Sequence, residues 1–142
     1  MSSTYQDFNR TLIKDLRDND GKATSGPFLG RDLLILTSKG AKTGATHENP
    51  LVYTRDANNY VVIASKGGAP NNPAWYHNLR AHPDVTVEIL GKKFKAHATF
   101  PDGEEYERLY EQHATINPQF HEYRTKTTRK IPVIVLEKVD SK

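Results

Sequence analysis

Short apolar runs closed off by turn residues recur along this chain, and they favour a small antiparallel sheet over any other core. Leu33-Leu34-Ile35-Leu36 is one such run, followed by the polar, glycine-bearing stretch from Lys39 to His47. Pro50 to Arg55 resumes as a strand, Asp56-Ala57-Asn58-Asn59 supplies hairpin residues, and Tyr60 to Ser65 returns. Val85 to Leu90 and Lys93 to Phe100 alternate across Gly91-Lys92, and Ile131 to Val139 closes the series. Pro132 stands near the start of that last run, where a missing ladder hydrogen bond costs least.

Helical patterns lie between and before these runs. Tyr5, Phe8, Leu12, Ile13 and Leu16 recur at helical spacing within residues 1–18, and Asn19-Asp20-Gly21 stops them. Pro73 suits the first turn of a helix through Arg80, with Asn72 as its cap. Asp102 can cap a helix to about Ala114, and a short one runs from Pro118 to Tyr123. The expected fold is therefore mainly β with flanking helices (α+β): an antiparallel barrel of about six strands. It forms one domain over residues 1–142, with the amphipathic helix in 1–18 and the barrel with its helices in 33–139.

Composition removes several functions. The chain has no cysteine, which excludes a disulfide framework, thiolate metal sites and a cysteine nucleophile. No apolar run reaches the ~18 residues of a membrane-spanning helix, and the N-terminus is polar, so a cytoplasmic protein is expected. The formal charge of +3 is mild, so the position of the cations matters more than their sum. The six histidines form no metal-binding pattern, and neither a nucleophile elbow nor a dinucleotide glycine fingerprint is present.

Three segments carry the chemistry that remains. Lys39-Gly40-Ala41-Lys42-Thr43-Gly44 joins two strands, and its lysines, hydroxyl and glycine-freed amides can surround an oxyanion, although a solvated hairpin turn has the same composition. Ala64-Ser65-Lys66-Gly67-Gly68-Ala69-Pro70 leaves a strand end, where ligand contacts often lie and where flexible surface loops also occur. In Asn72-Pro73-Ala74-Trp75-Tyr76-His77-Asn78-Leu79 the single tryptophan stands in a first helical turn, placed either to stack on a planar ring or to pack in the core. Together they suit a flat, phosphate-bearing cofactor. A nucleic-acid surface would need aromatics interleaved with the basic cluster Arg124, Lys126, Arg129 and Lys130, and no strand platform of aromatics accompanies it.

In this order, Leu36-Thr37-Ser38-Lys39-Gly40-Ala41-Lys42-Thr43-Gly44, Asn49-Pro50-Leu51, Ala64-Ser65-Lys66-Gly67-Gly68-Ala69 and the Asn72 to Leu79 segment resemble the deazaflavin-dependent nitroreductases. The resemblance spans about Leu33 to Val139. It implies a split β-barrel that uses reduced coenzyme F420, a deazaflavin with a phosphate and an oligoglutamate tail. It places Lys42, Thr43 and Gly44 at the phosphate or tail, and Ser65, Lys66, Gly67 and Gly68 along the ring and ribityl chain. Trp75 and Tyr76 lie close by, and Lys39, His47, Asn49, Pro50 and Ala64 complete the cofactor-binding set. Two departures stand out. Arginines usual in relatives are Ala41 and His47 here, and Asn117 and Phe120 occupy two tyrosine positions.

The implied reaction is hydride transfer to a small electron-poor acceptor, a quinone, conjugated enone or nitro compound. Trp75, Tyr76, Phe120 and Tyr123 would wall the acceptor pocket, Ser65 would stabilise developing charge, and Tyr123 or water would donate a proton. FMN as the cofactor, a non-catalytic F420 carrier, and a homodimer remain open alternatives. The N-terminal helix is expected to dock on the barrel because its polar face mixes both charge signs; a peripheral membrane contact is its second reading.

Overall fold

The computed structural model describes residues 4–24, 29, 31–65 and 72–139. In chain order its elements are α1 (Thr4–Asp18), β1 (Leu33–Lys39), β2 (Thr46–Val52), β3 (Thr54–Asp56), β4 (Asn59–Ile63), α2 (Ala74–Ala81), β5 (Asp84–Ile89), β6 (Lys92–Thr99), α3 (Gly103–Ile116), α4 (Gln119–Lys126) and β7 (Val133–Lys138). The strands form one sheet in the order β2-β1-β5-β6-β7-β4-β3, and every described ladder is antiparallel.

Seven strands replace the expected six because the stretch read as one strand, Pro50 to Arg55, belongs to two. The chain breaks at Tyr53, whose amide donates to the Asp32 carbonyl at 3.2 Å. That break explains the curl. β2 and β3 stand at opposite edges of the sheet, yet one residue separates them in the chain. The covalent chain therefore joins the two edge strands, and the sheet curls into a split barrel.

Alternation along the strands sorts apolar side chains onto two faces. Leu34, Leu36, Val62, Val85, Val87, Ala96, Ala98, Ile134 and Leu136 fill the barrel with Trp75 and Leu79 from α2. Their neighbours Val61, Ile63, Val133 and Val135 face outward, beneath Tyr106, Leu109, Tyr110 and Phe120 of α3 and α4. Apolar residues on both faces account for the unbroken apolar runs of β1, β4 and β7.

α1 covers a second outer patch. Leu12, Ile13 and Leu16 pack on Leu33, Ile35 and Val52, so the docked reading of this helix holds for its buried face. Arg17 adds a charged tie, with a nitrogen 2.6 Å from Glu48 and 3.1 Å from Glu88. The helix stops at Gly21, whose amide donates to the Leu16 carbonyl at 2.6 Å. Gly21 has φ +87°, and a Cβ there would lie 2.5 Å from the Leu90 Cα, so only glycine fits against the β5–β6 turn. Among the described residues no helix is long and apolar enough to cross a membrane.

Candidate functional site

The β1–β2 turn is tightly self-bonded. Gly40 donates its amide to the Ala45 carbonyl at 2.7 Å, and Gly44 donates to Gly40 at 2.9 Å. Ala45 donates to Thr43 Oγ1 at 3.2 Å. The amide of Ala41 donates to Asn78 Oδ1 on α2 at 3.0 Å, which pins the turn to the helix carrying Trp75. Gly40 is enclosed: a Cβ there would lie 2.9 Å from Thr43 Oγ1 and 3.1 Å from His47 Nε2. Three of the amides expected to cradle an anion, those of Gly40, Ala41 and Gly44, are thus donated within the protein. What the turn offers a ligand is the exposed Lys42 ammonium, the Thr43 hydroxyl and the His47 imidazole.

Register divides the remaining expected cofactor residues. Ser38 opposes His47 and Leu36 opposes Asn49, so His47 and Asn49 lie on the face shared with the barrel interior. Lys39 and Pro50 alternate to the outer face, the side of Ile35. Lys39 therefore points away from His47.

The second lysine-glycine segment is described only at its flanks; Lys66, Gly67 and Gly68 lie outside the described residues. Ala64 and Ser65 are buried. Arg129 closes the two flanks together, donating to the Ser65 carbonyl at 2.8 Å, to the Ala64 carbonyl at 3.3 Å and to Asn72 Oδ1 at 2.6 Å. Asn72 is therefore engaged by Arg129, and Pro73 occupies the helix-cap position in its place, with no side-chain cap bond. Nothing in the local sequence around Arg129 announces this role, because Ala64, Ser65 and Asn72 lie at least 57 residues away.

The chain of contacts from Ala41 to Asn78, along α2 to Asn72, and through Arg129 to Ser65 brings the first turn and both flanks of the second to one end of the barrel. Trp75 is 95% buried in the interior cluster and supports this end from beneath. Tyr76 is half-buried, edge-on to Phe100 at 5.9 Å and to His77 at 5.5 Å, and is the aromatic with surface to offer a planar ligand.

The aromatic residues expected around an acceptor do not share a wall. Trp75 packs inside the barrel, whereas Phe120 and Tyr123 belong to the outer layer on the far side of β4 and β7. Phe120 is buried, 4.5 Å centroid-to-centroid from His113 and 5.1 Å from Tyr123. Alternation in β4 enforces the separation, since Val62 faces in while Val61 and Ile63 face out. Burial raises the pKa of the Tyr123 phenol, Glu122 adds to the rise and Arg31 opposes it, so the hydroxyl keeps its proton near neutrality.

An exposed ammonium, hydroxyl and imidazole on a turn bonded to the helix that carries a half-buried aromatic suit a ligand that is anionic at one end and flat at the other. The residues present fit a phosphate-bearing flavin-type group, since charge-assisted hydrogen bonds to such oxygens are the strong ones. With the curled seven-stranded sheet, these residues describe a split-barrel protein whose turn fits such a cofactor.

Residues 8–138 match the family described as F420H(2)-dependent quinone reductase. An F420H(2)-dependent quinone reductase of Mycobacterium tuberculosis is 41% identical over 106 residues, covering 72% of this chain and 71% of that protein. Among solved structures, an F420-H2 dependent reductase, FDR-A, superposes with a TM-score of 0.70 at 37% identity, covering 75% of this chain and 95% of that one. Another, described as a domain-swapped dimer, gives a TM-score of 0.70 at 31% identity over 95% of this chain and all of its own. The chain belongs to the F420H(2)-dependent quinone reductase family.

Proposed function

We propose that this protein reduces quinones with hydride taken from reduced coenzyme F420. When bound, the cofactor supplies the hydride from its deazaflavin ring. Lys42, Thr43 and His47 hold its phosphate at the β1–β2 turn. Ser65 lies along the ring and ribityl chain, the place the resemblance also gives to Lys66, Gly67 and Gly68, and Tyr76 flanks the ring. Arg129 holds Ala64 and Ser65 in place through their carbonyls, so the Ser65 hydroxyl is positioned to donate to oxygen charge on the acceptor. Reduction of a quinone to its hydroquinone consumes one hydride and one proton. We assign that proton to water, because Tyr123 stands in the outer layer, across β4 and β7 from Trp75.

The observation that carries this reading is the Ala41–Asn78 hydrogen bond, which fastens the cationic turn to the helix bearing Trp75 and Tyr76. The decisive experiment mixes the protein anaerobically with reduced F420 and a quinone such as menadione, following oxidised cofactor by absorbance. Oxidation in proportion to protein concentration is expected. Persistence of reduced F420 with every quinone tried, or saturable binding of FMN alone, contradicts the proposal.

A further inference from the structure

Leu90 holds a backbone conformation that its own side chain disfavours. Strands β5 and β6 close on a two-residue turn, with Ile89 opposite Lys92 and Leu90 and Gly91 between them. Both central residues are left-handed, at φ +51° and +80°. A turn of that kind favours Asn-Gly, and a bulky residue at positive φ is a strained outlier. The other described non-glycine residues at positive φ are Asp20, with a short polar side chain, and Ala57, with a single methyl.

Burial does not offset this strain. Leu90 is 55% exposed, so its side chain projects from the turn into solvent. Its backbone is seated against Gly21, which leaves no room for a Cβ between them. Strained residues of this sort persist where the surrounding structure fixes them, and they cluster at functional positions.

Lysines surround the tip. Lys92 and Lys93 open β6, Lys22 follows Gly21, and all three are exposed. Lys138, at the end of β7, sets its ammonium 5.2 Å from the Phe94 ring centroid, and Val139 beyond it is exposed. Of the carboxylates at this end, Glu88 is held by Arg17 at 3.1 Å, while Asp20 and Asp32 are exposed and outnumbered by the lysines. Protein interfaces are depleted in lysine and use larger apolar cores. A lipid headgroup layer, by contrast, accepts an aliphatic tip at its acyl boundary and draws lysines to its phosphates.

We propose that the β5–β6 turn docks this protein on an anionic lipid surface, with Leu90 inserted at the acyl boundary and Lys22, Lys92, Lys93 and Lys138 against the phosphates. The contact does not require the reductase reading. β1 pairs with β5 so that the Leu90 turn lies beyond its Leu33 end, whereas the Lys42 turn follows its Lys39 end. The two turns therefore stand at opposite ends of the strand.

The test sediments the full chain with vesicles of equal parts phosphatidylcholine and phosphatidylglycerol, and with vesicles of phosphatidylcholine alone. Saturable binding is expected with the anionic vesicles and much weaker binding with the neutral ones. Leu90→Asn carries the discriminating result, because asparagine suits the turn. It should leave the fold at least as stable in urea while vesicle affinity falls about 10-fold, as withdrawal of one aliphatic side chain implies. Lys92→Gln and Lys93→Gln should each lower affinity about 5-fold with unchanged circular dichroism. Absence of binding to anionic vesicles, equal binding to both compositions, or undiminished affinity in Leu90→Asn overturns the proposal. Self-association that Leu90→Asn abolishes, without vesicle binding, assigns the tip to a second copy of the chain and overturns it as well.

Discussion

His113 shows how burial sets the behaviour of one side chain in this fold. The ring is fully buried, its Nδ1 sits 3.0 Å from Thr54 Oγ1, and its Nε2 has no partner. Burial pushes its pKa down to about 4. The unfolded chain protonates this residue near the ordinary histidine value of 6.5, so between those values the unfolded state holds more protons. The stability His113 contributes is complete above about pH 6.5 and is lost as pH falls towards 4, by roughly 3 kcal/mol in all. Urea unfolding of wild type and His113→Gln at pH 7 and at pH 4.5 checks this: the fall in stability should be markedly smaller in the variant. Equal falls would mean the imidazole is not held neutral. Arg129 and Asn78 show the limit of reading at this scale. Asn78 stands in a segment the sequence singles out and Arg129 in a basic cluster, yet each acquires its role from partners distant in the chain. The glycines and lysines of the β1–β2 turn, by contrast, announce a polar connection in their own composition.

At the scale of elements, alternation and turn residues made most strands readable, because a strand with apolar residues on both faces leaves a short apolar run wherever it occurs. The β2–β3 break was not readable. Pro50 to Arg55 has a continuous strand-like composition, and only the Asp32 contact to Tyr53 divides it. The grouping of Trp75 with Phe120 and Tyr123 failed for a related reason: helical and strand periodicity show that a residue is buried, not on which side of the sheet it lies. α1 was readable as amphipathic, and its apolar stripe is spent on β1 and β2. Leu16, 1% exposed, anchors that contact. Leu16→Ala should cost about 3 kcal/mol of unfolding free energy in a denaturant titration, the usual range for a buried leucine. A loss below about 0.5 kcal/mol, typical of surface positions, would show that the helix is not docked in solution.

The whole molecule joins these parts through the curl of the sheet. Curling the sheet until β2 and β3 meet in sequence brings α2 into the interior and sets its Asn78 against the β1–β2 turn, so fold and candidate site share one cause. The order of the two glycine-rich motifs pointed to that site in advance, whereas the orientation of Lys39 towards the opposite face followed only from the register. The central claim is that the Lys42 turn and the Trp75 helix hold the same anionic, planar redox cofactor. Trp75 is the chain's single tryptophan and reports on that end of the barrel directly. The measurement is an anaerobic titration with reduced F420, read by Trp75 fluorescence, in wild type and in Lys42→Ala. The account predicts saturable quenching in wild type and an affinity lowered about 10-fold in the variant, with unchanged circular dichroism. Equal affinities in the two proteins, or no response of the tryptophan, would contradict it.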